Sequence, residues 1–252
     1  MTSFMVPAAG GFLRYQDLAG EGPPLIFIHG LGCASSSDYP AVAADAALRG
    51  RRMLLVDLLG SGGSDRPGDF SYSIADHAIS LVSLIEALGL PELDQFGHSM
   101  GGAVAISAAA MLQGRLRRLV LGEPNLDPGG GVFSLRIAML GEADYVASGH
   151  DELVRSSLAE GDQAWAASLS GSAPYAVHRA AVSLVAGTDP SWRDILSVLV
   201  VPRTLIVGEA SLPYSDAENL QDICLAVVPR AGHSMAVENP SGLARAIAAA
   251  IA

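Results

Sequence analysis

Leu93-Asp94-Gln95-Phe96-Gly97-His98-Ser99-Met100-Gly101-Gly102 is the stretch from which the fold can be read. Leu93 to Gly97 has the composition of a short buried strand, and Met100 to Leu112 reads as an Ala-rich helix. Between them Gly97-His98-Ser99-Met100-Gly101 matches G-x-S-x-G. Glycines on both sides of a serine let a strand turn sharply into a helix without Cβ clashes. Such a turn lifts the serine hydroxyl above the strand ends and sets it at a helix N-terminus, where free N–H groups and the helix dipole favour developing negative charge.

Working outward, the same strand-then-helix grammar repeats. Leu25 to Ile28 is a short apolar run between Pro23-Pro24 and His29-Gly30, and Arg52 to Asp57 is a second, ending in the glycine-rich turn Gly60 to Gly63. Tyr39 to Leu48, between them, carries a helical pattern, so the two strands are expected to be parallel with a crossover. Ile74, Ala78, Leu81, Ile85 and Leu88 form one helical stripe that stops at Gly89. Arg118 to Gly122, Thr204 to Val207 and Ile223 to Val228 are further buried strands, Phe12 to Tyr15 an antiparallel edge strand, and Ser241 to Ile251 a closing helix. Repeated β–α units predict an α/β protein with a mostly parallel twisted sheet covered by helices. The pattern breaks after Pro124. The residues that follow are mainly helical in composition and contain Trp165, Trp192, Tyr145 and Tyr175, which predicts a helical insert over 126–196 within a core of 1–125 and 197–252.

Composition removes several kinds of function. The 252 residues are 50% hydrophobic and 16% charged, enough for a sizeable core, and the net charge of −11 disfavours electrostatic capture of nucleic acid or an anionic membrane. All 15 basic residues are arginine, so Schiff-base chemistry on a lysine and the P-loop lysine are excluded. Two cysteines, Cys33 and Cys224, form neither a disulfide framework nor a cysteine zinc site, and no HExxH occurs. Met1 to Gly11 lacks the basic and apolar regions of a signal peptide, and no apolar run of membrane-spanning length is present. A cytoplasmic protein with no membrane span is the expectation.

Four motifs together carry a family resemblance: His29-Gly30-Leu31-Gly32, Asp57 with Gly60-Ser61-Gly62-Gly63-Ser64, Gly97-His98-Ser99-Met100-Gly101-Gly102, and Ala231-Gly232-His233. In this combination the chain resembles the α/β-hydrolase superfamily, in particular its compact capped esterase- and lactonase-like members. The resemblance implies the α/β-hydrolase fold with 126–196 as a cap, Ser99 as nucleophile and His233 as base. It also implies an oxyanion hole made by the backbone N–H groups of Leu31 and Met100, and neither cofactor nor metal. Asp57 and His29 are expected to brace loops, His98 to pack or hydrogen-bond locally, and Cys33 to be a small buried residue.

The acid is ambiguous. In the superfamily it usually follows the strand before that of the histidine, but here that segment reads Gly208-Glu209-Ala210-Ser211. Some members carry it one strand earlier, where Glu123 ends an apolar strand and needs a partner for its carboxylate. Glu123 is favoured, with Glu209 and Asp216 as alternatives.

A serine at the turn argues against dehalogenases and epoxide hydrolases of this architecture, which need Asp there. The expected activity is hydrolysis of carboxylic esters or lactones of hydrophobic small molecules through an acyl-enzyme on Ser99, by a monomer or homodimer. Trp165, Tyr145 and Phe133 are candidates to line the substrate pocket. A thioesterase or C–C bond hydrolase would use the same residues. Outside the hydrolases, a receptor-like ligand binder or a lyase using Ser99 as base stays open.

Overall fold

The structure, a computed structural model, describes residues 1–112, 114–217 and 220–252. In chain order it runs β1 (Thr2–Val6), β2 (Gly11–Leu18), β3 (Glu21–Ile28), α1 (Ser35–Asp38), α2 (Pro40–Ala43), β4 (Arg51–Asp57), α3 (Ile74–Ala87), β5 (Leu93–His98), α4 (Met100–Met111) and β6 (Leu116–Gly122). Six helices follow: α5 (Val132–Ala138), α6 (Glu142–Asp144), α7 (His150–Ala159), α8 (Gln163–Ser170), α9 (Pro174–Ala186) and α10 (Trp192–Val198). Then come β7 (Arg203–Gly208), β8 (Ile223–Val228), α11 (Met235–Glu238) and α12 (Pro240–Ala250).

The strands form one sheet in the order β1-β2-β4-β3-β5-β6-β7-β8. β1 and β2 are antiparallel, and every pairing from β3–β4 to β7–β8 is parallel. The central strands alternate between two apolar faces. Ile26, Ile28, Leu54, Val56, Leu119, Leu121, Leu205 and Val207 join α3 and α4 on one side. Leu25, Phe27, Met53, Leu55, Phe96, Val120 and Ile206 join α2 and α12 on the other. Burial of both faces is why these strands read as continuous apolar runs rather than as alternating ones.

Two expectations needed revision. Tyr39 to Leu48 is not one helix: Pro40 sits at the start of α2, which stops at Ala43, and only a 3₁₀ turn at Ala46–Leu48 follows before β4. Pro favours the first turn of a helix and cannot continue one from the preceding turn. Trp192, grouped by sequence with the insert, packs with Leu196 into the cluster against the sheet, and its indole N–H reaches Ser107 Oγ on α4 (3.1 Å).

The helices after β6 hold a small cluster of their own (Ile137, Tyr145, Leu153, Leu169, Val177 and Ala181), against which Leu31 and Trp165 pack. They are fastened to the sheet domain by specific hydrogen bonds. Arg179 on α9 donates to the Gly68 (2.7 Å) and Phe70 (2.9 Å) carbonyls while gripping Glu142 with two further bonds of 2.8 Å. The Tyr175 hydroxyl donates to the Arg66 carbonyl (2.7 Å), and the Arg66 guanidinium to the Gly171 carbonyl (2.6 Å).

Candidate active site

Ser99 stands between β5 and α4 with φ 54° and ψ −120°, a conformation L-residues rarely adopt. Glycine neighbours make the turn possible by close approach. A Cβ at Gly101 would run into the Ile28 and His29 carbonyls, and one at Gly97 into the Gly101 carbonyl and Ala105. α4 therefore lies hard against β3 and β5. Hydrogen bonds lock the strained residue in place: the Ser99 amide donates to the Gly122 carbonyl (2.9 Å), and the Ser99 carbonyl accepts from Gly102 (2.9 Å) and Asn125 (3.3 Å). The backbone of Ser99 is thus pinned to residues on both sides of Glu123.

Glu123 also has positive φ, 40°, immediately after β6. Its carboxylate is buried, and both oxygens are engaged: Oε2 meets His233 Nδ1 at 2.6 Å, and Oε1 accepts from the Gly208 amide at 2.9 Å. Burial works to raise this carboxyl, but the bonds from His233 and Gly208, with a smaller contribution from Ser211, prevail and hold it below the usual range. Ser211, in the segment after β7 where an acid was expected as an alternative, contributes to keeping the Glu123 carboxylate low. Glu209 instead accepts from the Arg230 amide (2.7 Å), and Asp216 faces Arg193 (3.5 Å).

His233 follows β8 in the loop before α11, with its side chain about half exposed. That loop is anchored at each end. The Gly232 amide donates to Glu238, Asn239 Nδ2 donates to the Pro229 carbonyl (2.7 Å), and His98 Nε2 meets the His233 carbonyl at 2.9 Å. The His98 ring also packs against the His233 ring, with centroids 4.6 Å apart. Burial, then the neighbouring His233, pushes the His98 imidazole down to about 3. It is therefore neutral, and its Nε2–H donates to the carbonyl.

On the opposite flank, Leu31 follows Gly30 after β3, and Met100 opens α4. Among the described residues no hydrogen bond uses either amide. Asp57, fully buried, accepts from the Ser36 amide (2.9 Å), the Ser36 hydroxyl (2.7 Å) and the Gly63 amide (2.9 Å), so it braces two loops. His29 lies at 2.8 Å from the Gly30 carbonyl and accepts from the Leu58 amide (3.0 Å). A cavity of about 50 Å³ is lined by His98 together with Cys33, Asp38, Phe96, Trp165 and Ser234. Cys33 is half-buried, and burial together with the Asp38 charge pushes its thiol well up, which keeps it protonated and non-nucleophilic.

Of the three aromatic residues expected at a pocket, two are near the site. Trp165 donates from Nε1 to the Leu31 carbonyl (2.9 Å), and the Phe133 ring lies 4.4 Å from that indole. Tyr145 corrects the expectation. It is buried in the insert's own cluster, with its hydroxyl on His150 Nδ1 (3.0 Å), so burial of the ring and a partner for its hydroxyl hold it away from any pocket. Among the described residues no group of three or more His, Cys, Asp or Glu is placed to hold a metal ion, and no helix is long and apolar enough to cross a membrane.

Comparison with known proteins adds a decisive match: the profile of the α/β-hydrolase fold family covers residues 23–189, well over half of the chain. The chain belongs to the α/β-hydrolase fold family. One curated relative is the 2-hydroxymuconate semialdehyde hydrolase of Pseudomonas putida, 38% identical over 113 residues, which are 45% of this chain and 40% of that protein. The chain thus matches well under half the length of this curated relative. Among solved structures, an esterase from Exiguobacterium antarcticum aligns with a TM-score of 0.82 at 19% identity, covering 99% of this chain and 98% of that one. The enol-lactonase from Burkholderia xenovorans LB400 aligns with a TM-score of 0.79 at 19% identity, covering 98% of both chains. At such identities the structural likeness speaks to the fold.

Proposed function

We propose that this α/β-hydrolase cleaves carboxylic esters or lactones of hydrophobic small molecules through an acyl-enzyme on Ser99. The observation that carries the reading is the 2.6 Å contact between His233 Nδ1 and the buried Glu123 carboxylate, at the end of the sheet where Ser99 is held in its strained turn. A carboxylate held ionised accepts a hydrogen bond from His233 Nδ1–H and so fixes the tautomer that leaves Nε2 unprotonated, the free base.

In this mechanism the Ser99 hydroxyl adds to the carbonyl carbon as its proton passes to His233 Nε2. The oxyanion is held by the Leu31 and Met100 amides. The tetrahedral adduct collapses with protonation of the leaving alcohol by His233, giving the acyl-enzyme. Water then gives a proton to His233 and adds to the acyl carbon, and the second adduct releases the acid and restores Ser99. Glu123 keeps the imidazole oriented and stabilises its cationic form in both steps. The helices of 126–196 act as the cap, with Phe133 and Trp165 giving the site an apolar wall that favours hydrophobic acyl or alcohol groups.

C–C bond hydrolysis is the second reading, supported by the partial likeness to 2-hydroxymuconate semialdehyde hydrolase. One experiment tests the first reading and separates it from the second. Wild-type protein is expected to turn over p-nitrophenyl esters and to be labelled at Ser99 by a fluorophosphonate, and Ser99→Ala to lose both while staying folded. Turnover of a 2-hydroxy-6-oxo-2,4-dienoate in preference to esters would favour the second reading. Undiminished ester turnover by Ser99→Ala would sink both.

A further inference from the structure

Leu31 lies where two packing systems meet: it contacts both the cluster on the sheet and the separate cluster inside the helical insert. What the insert places on it is specific. Trp165 reaches from the first turn of α8 to donate its Nε1–H to the Leu31 carbonyl at 2.9 Å, across 134 residues of sequence. The backbone amide of Trp165 is held by Asp162 Oδ1 (3.2 Å), the side chain that caps α8, so the start of this helix is fixed. One turn further on, Leu169 lies against the next residue of the loop. Gly32 has φ +69°, and a Cβ there would come within 2.7 Å of Leu169 Cδ1 and 3.3 Å of Trp165 Nε1. Phe133 from α5 packs on the indole, with ring centroids 4.4 Å apart.

The turn Gly30-Leu31-Gly32 is therefore clamped from above by a hydrogen bond and a close apolar contact, both supplied by the insert. The Leu31 amide shares its peptide plane with the Gly30 carbonyl, which meets His29 Nδ1 (2.8 Å) and accepts from the Cys33 amide (3.2 Å). Holding the Leu31 carbonyl and Gly32 adds the restraint on the C-terminal side, so that Leu31 is gripped on both sides of its Cα and the turn that aims its amide cannot swing. An oxyanion donor acts only when its N–H is aimed at the place where the charge develops.

We infer that Trp165 is a positioning residue that lets the seated insert aim the Leu31 amide, so that oxyanion stabilisation depends on the insert being docked. This rests on the ester-hydrolase reading above and assigns Trp165 a task beyond lining a pocket. Deleting an oxyanion donor lowers kcat by roughly 10²–10³-fold. Misdirecting one without deleting it is expected to cost about tenfold, and to appear in kcat because the interaction forms in the transition state.

The test is Trp165→Phe, which keeps an aromatic ring against Phe133 and removes the N–H. With p-nitrophenyl butyrate, kcat should fall about tenfold with KM within about twofold, and fluorophosphonate labelling of Ser99 should slow by a similar factor. Amide hydrogen exchange over residues 29–34 should become faster than in the wild type, a readout independent of turnover. Trp165→His, which retains a ring N–H, should recover part of the rate. Leu169→Ala leaves the indole bond in place and opens the contact on Gly32. It should move exchange and kcat in the same direction by less, and it carries the test should Trp165→Phe fail to fold.

A raised KM with unchanged kcat, or exchange over 29–34 identical to the wild type, overturns the inference while leaving the hydrolase reading intact. A wild-type protein that neither turns over esters nor is labelled sinks that reading and the catalytic half of the inference. The exchange comparison then still decides whether Trp165 orders the turn.

Discussion

At the scale of single residues, the candidate carboxylates each have specified partners. Glu123 has one oxygen on His233 and the other on the Gly208 amide, so removing its charge leaves an imidazole in the wrong tautomer beside a buried neutral group. Glu123→Gln is expected to lower kcat about 10³–10⁴-fold with the fold retained. Glu209→Ala and Asp216→Ala, whose carboxylates serve Arg230 and Arg193, should stay within about threefold of wild type. Ester-hydrolysis kinetics on the three variants check this, and loss at Asp216 alone would reassign the acid. A second residue-scale expectation concerns His77, buried against Phe70 and Tyr72 and pushed down to about 3 by burial. The unfolded chain protonates this histidine near pH 6.5 and the folded chain only near 3. Its contribution to stability is thus complete above about 6.5 and is lost as the pH falls toward 3. Thermal unfolding followed from pH 7 to 4 should decline less steeply in His77→Phe than in the wild type.

At the scale of elements, the crossing of α4 over β3 and β5 is the most demanding piece of packing in the site. Gly101→Ala pushes a methyl group into the Ile28 and His29 carbonyls, at the end of a strand buried on both faces. We expect a loss of about 2–3 kcal/mol, measured by urea unfolding, together with displacement of the serine turn. This element was legible in the sequence because its constraints are local: a strand, two glycines around a serine and a helix leave little choice. An apolar strand ending in a carboxylate calls for a partner, and Glu123 has two, His233 and the Gly208 amide; its role as the acid is the proposal. Other features were not legible. Nothing local reveals that the Gly208 amide holds Glu123, that His98 holds the His233 carbonyl, or that Trp165 reaches Leu31, because each joins segments far apart in the chain. Tyr145 was misjudged for the opposite reason, since the composition of a helical insert does not tell its inner face from the face turned toward the sheet.

At the scale of the whole molecule, the insert and the sheet domain are held together by a few directed bonds as well as by apolar contact. Arg179 joins α6, α9 and the segment before α3 through four hydrogen bonds. Arg179→Met should cost about 2 kcal/mol in global stability, and amide exchange over 66–72 and 140–146 should rise more than exchange in the central strands. The boundary drawn at residue 196 from the sequence divides α10, whose Trp192 and Leu196 pack on the sheet side, so the last helix of the insert also belongs to the core's packing.

The loop bearing His233 lies beyond the final strand, 110 residues downstream of the carboxylate it meets. A chain emerging from the ribosome can therefore assemble most of the sheet and expose its serine while still lacking a base. On the proposed mechanism, the nascent polypeptide stays chemically silent until this closing segment has been synthesised and has folded back across the finished sheet.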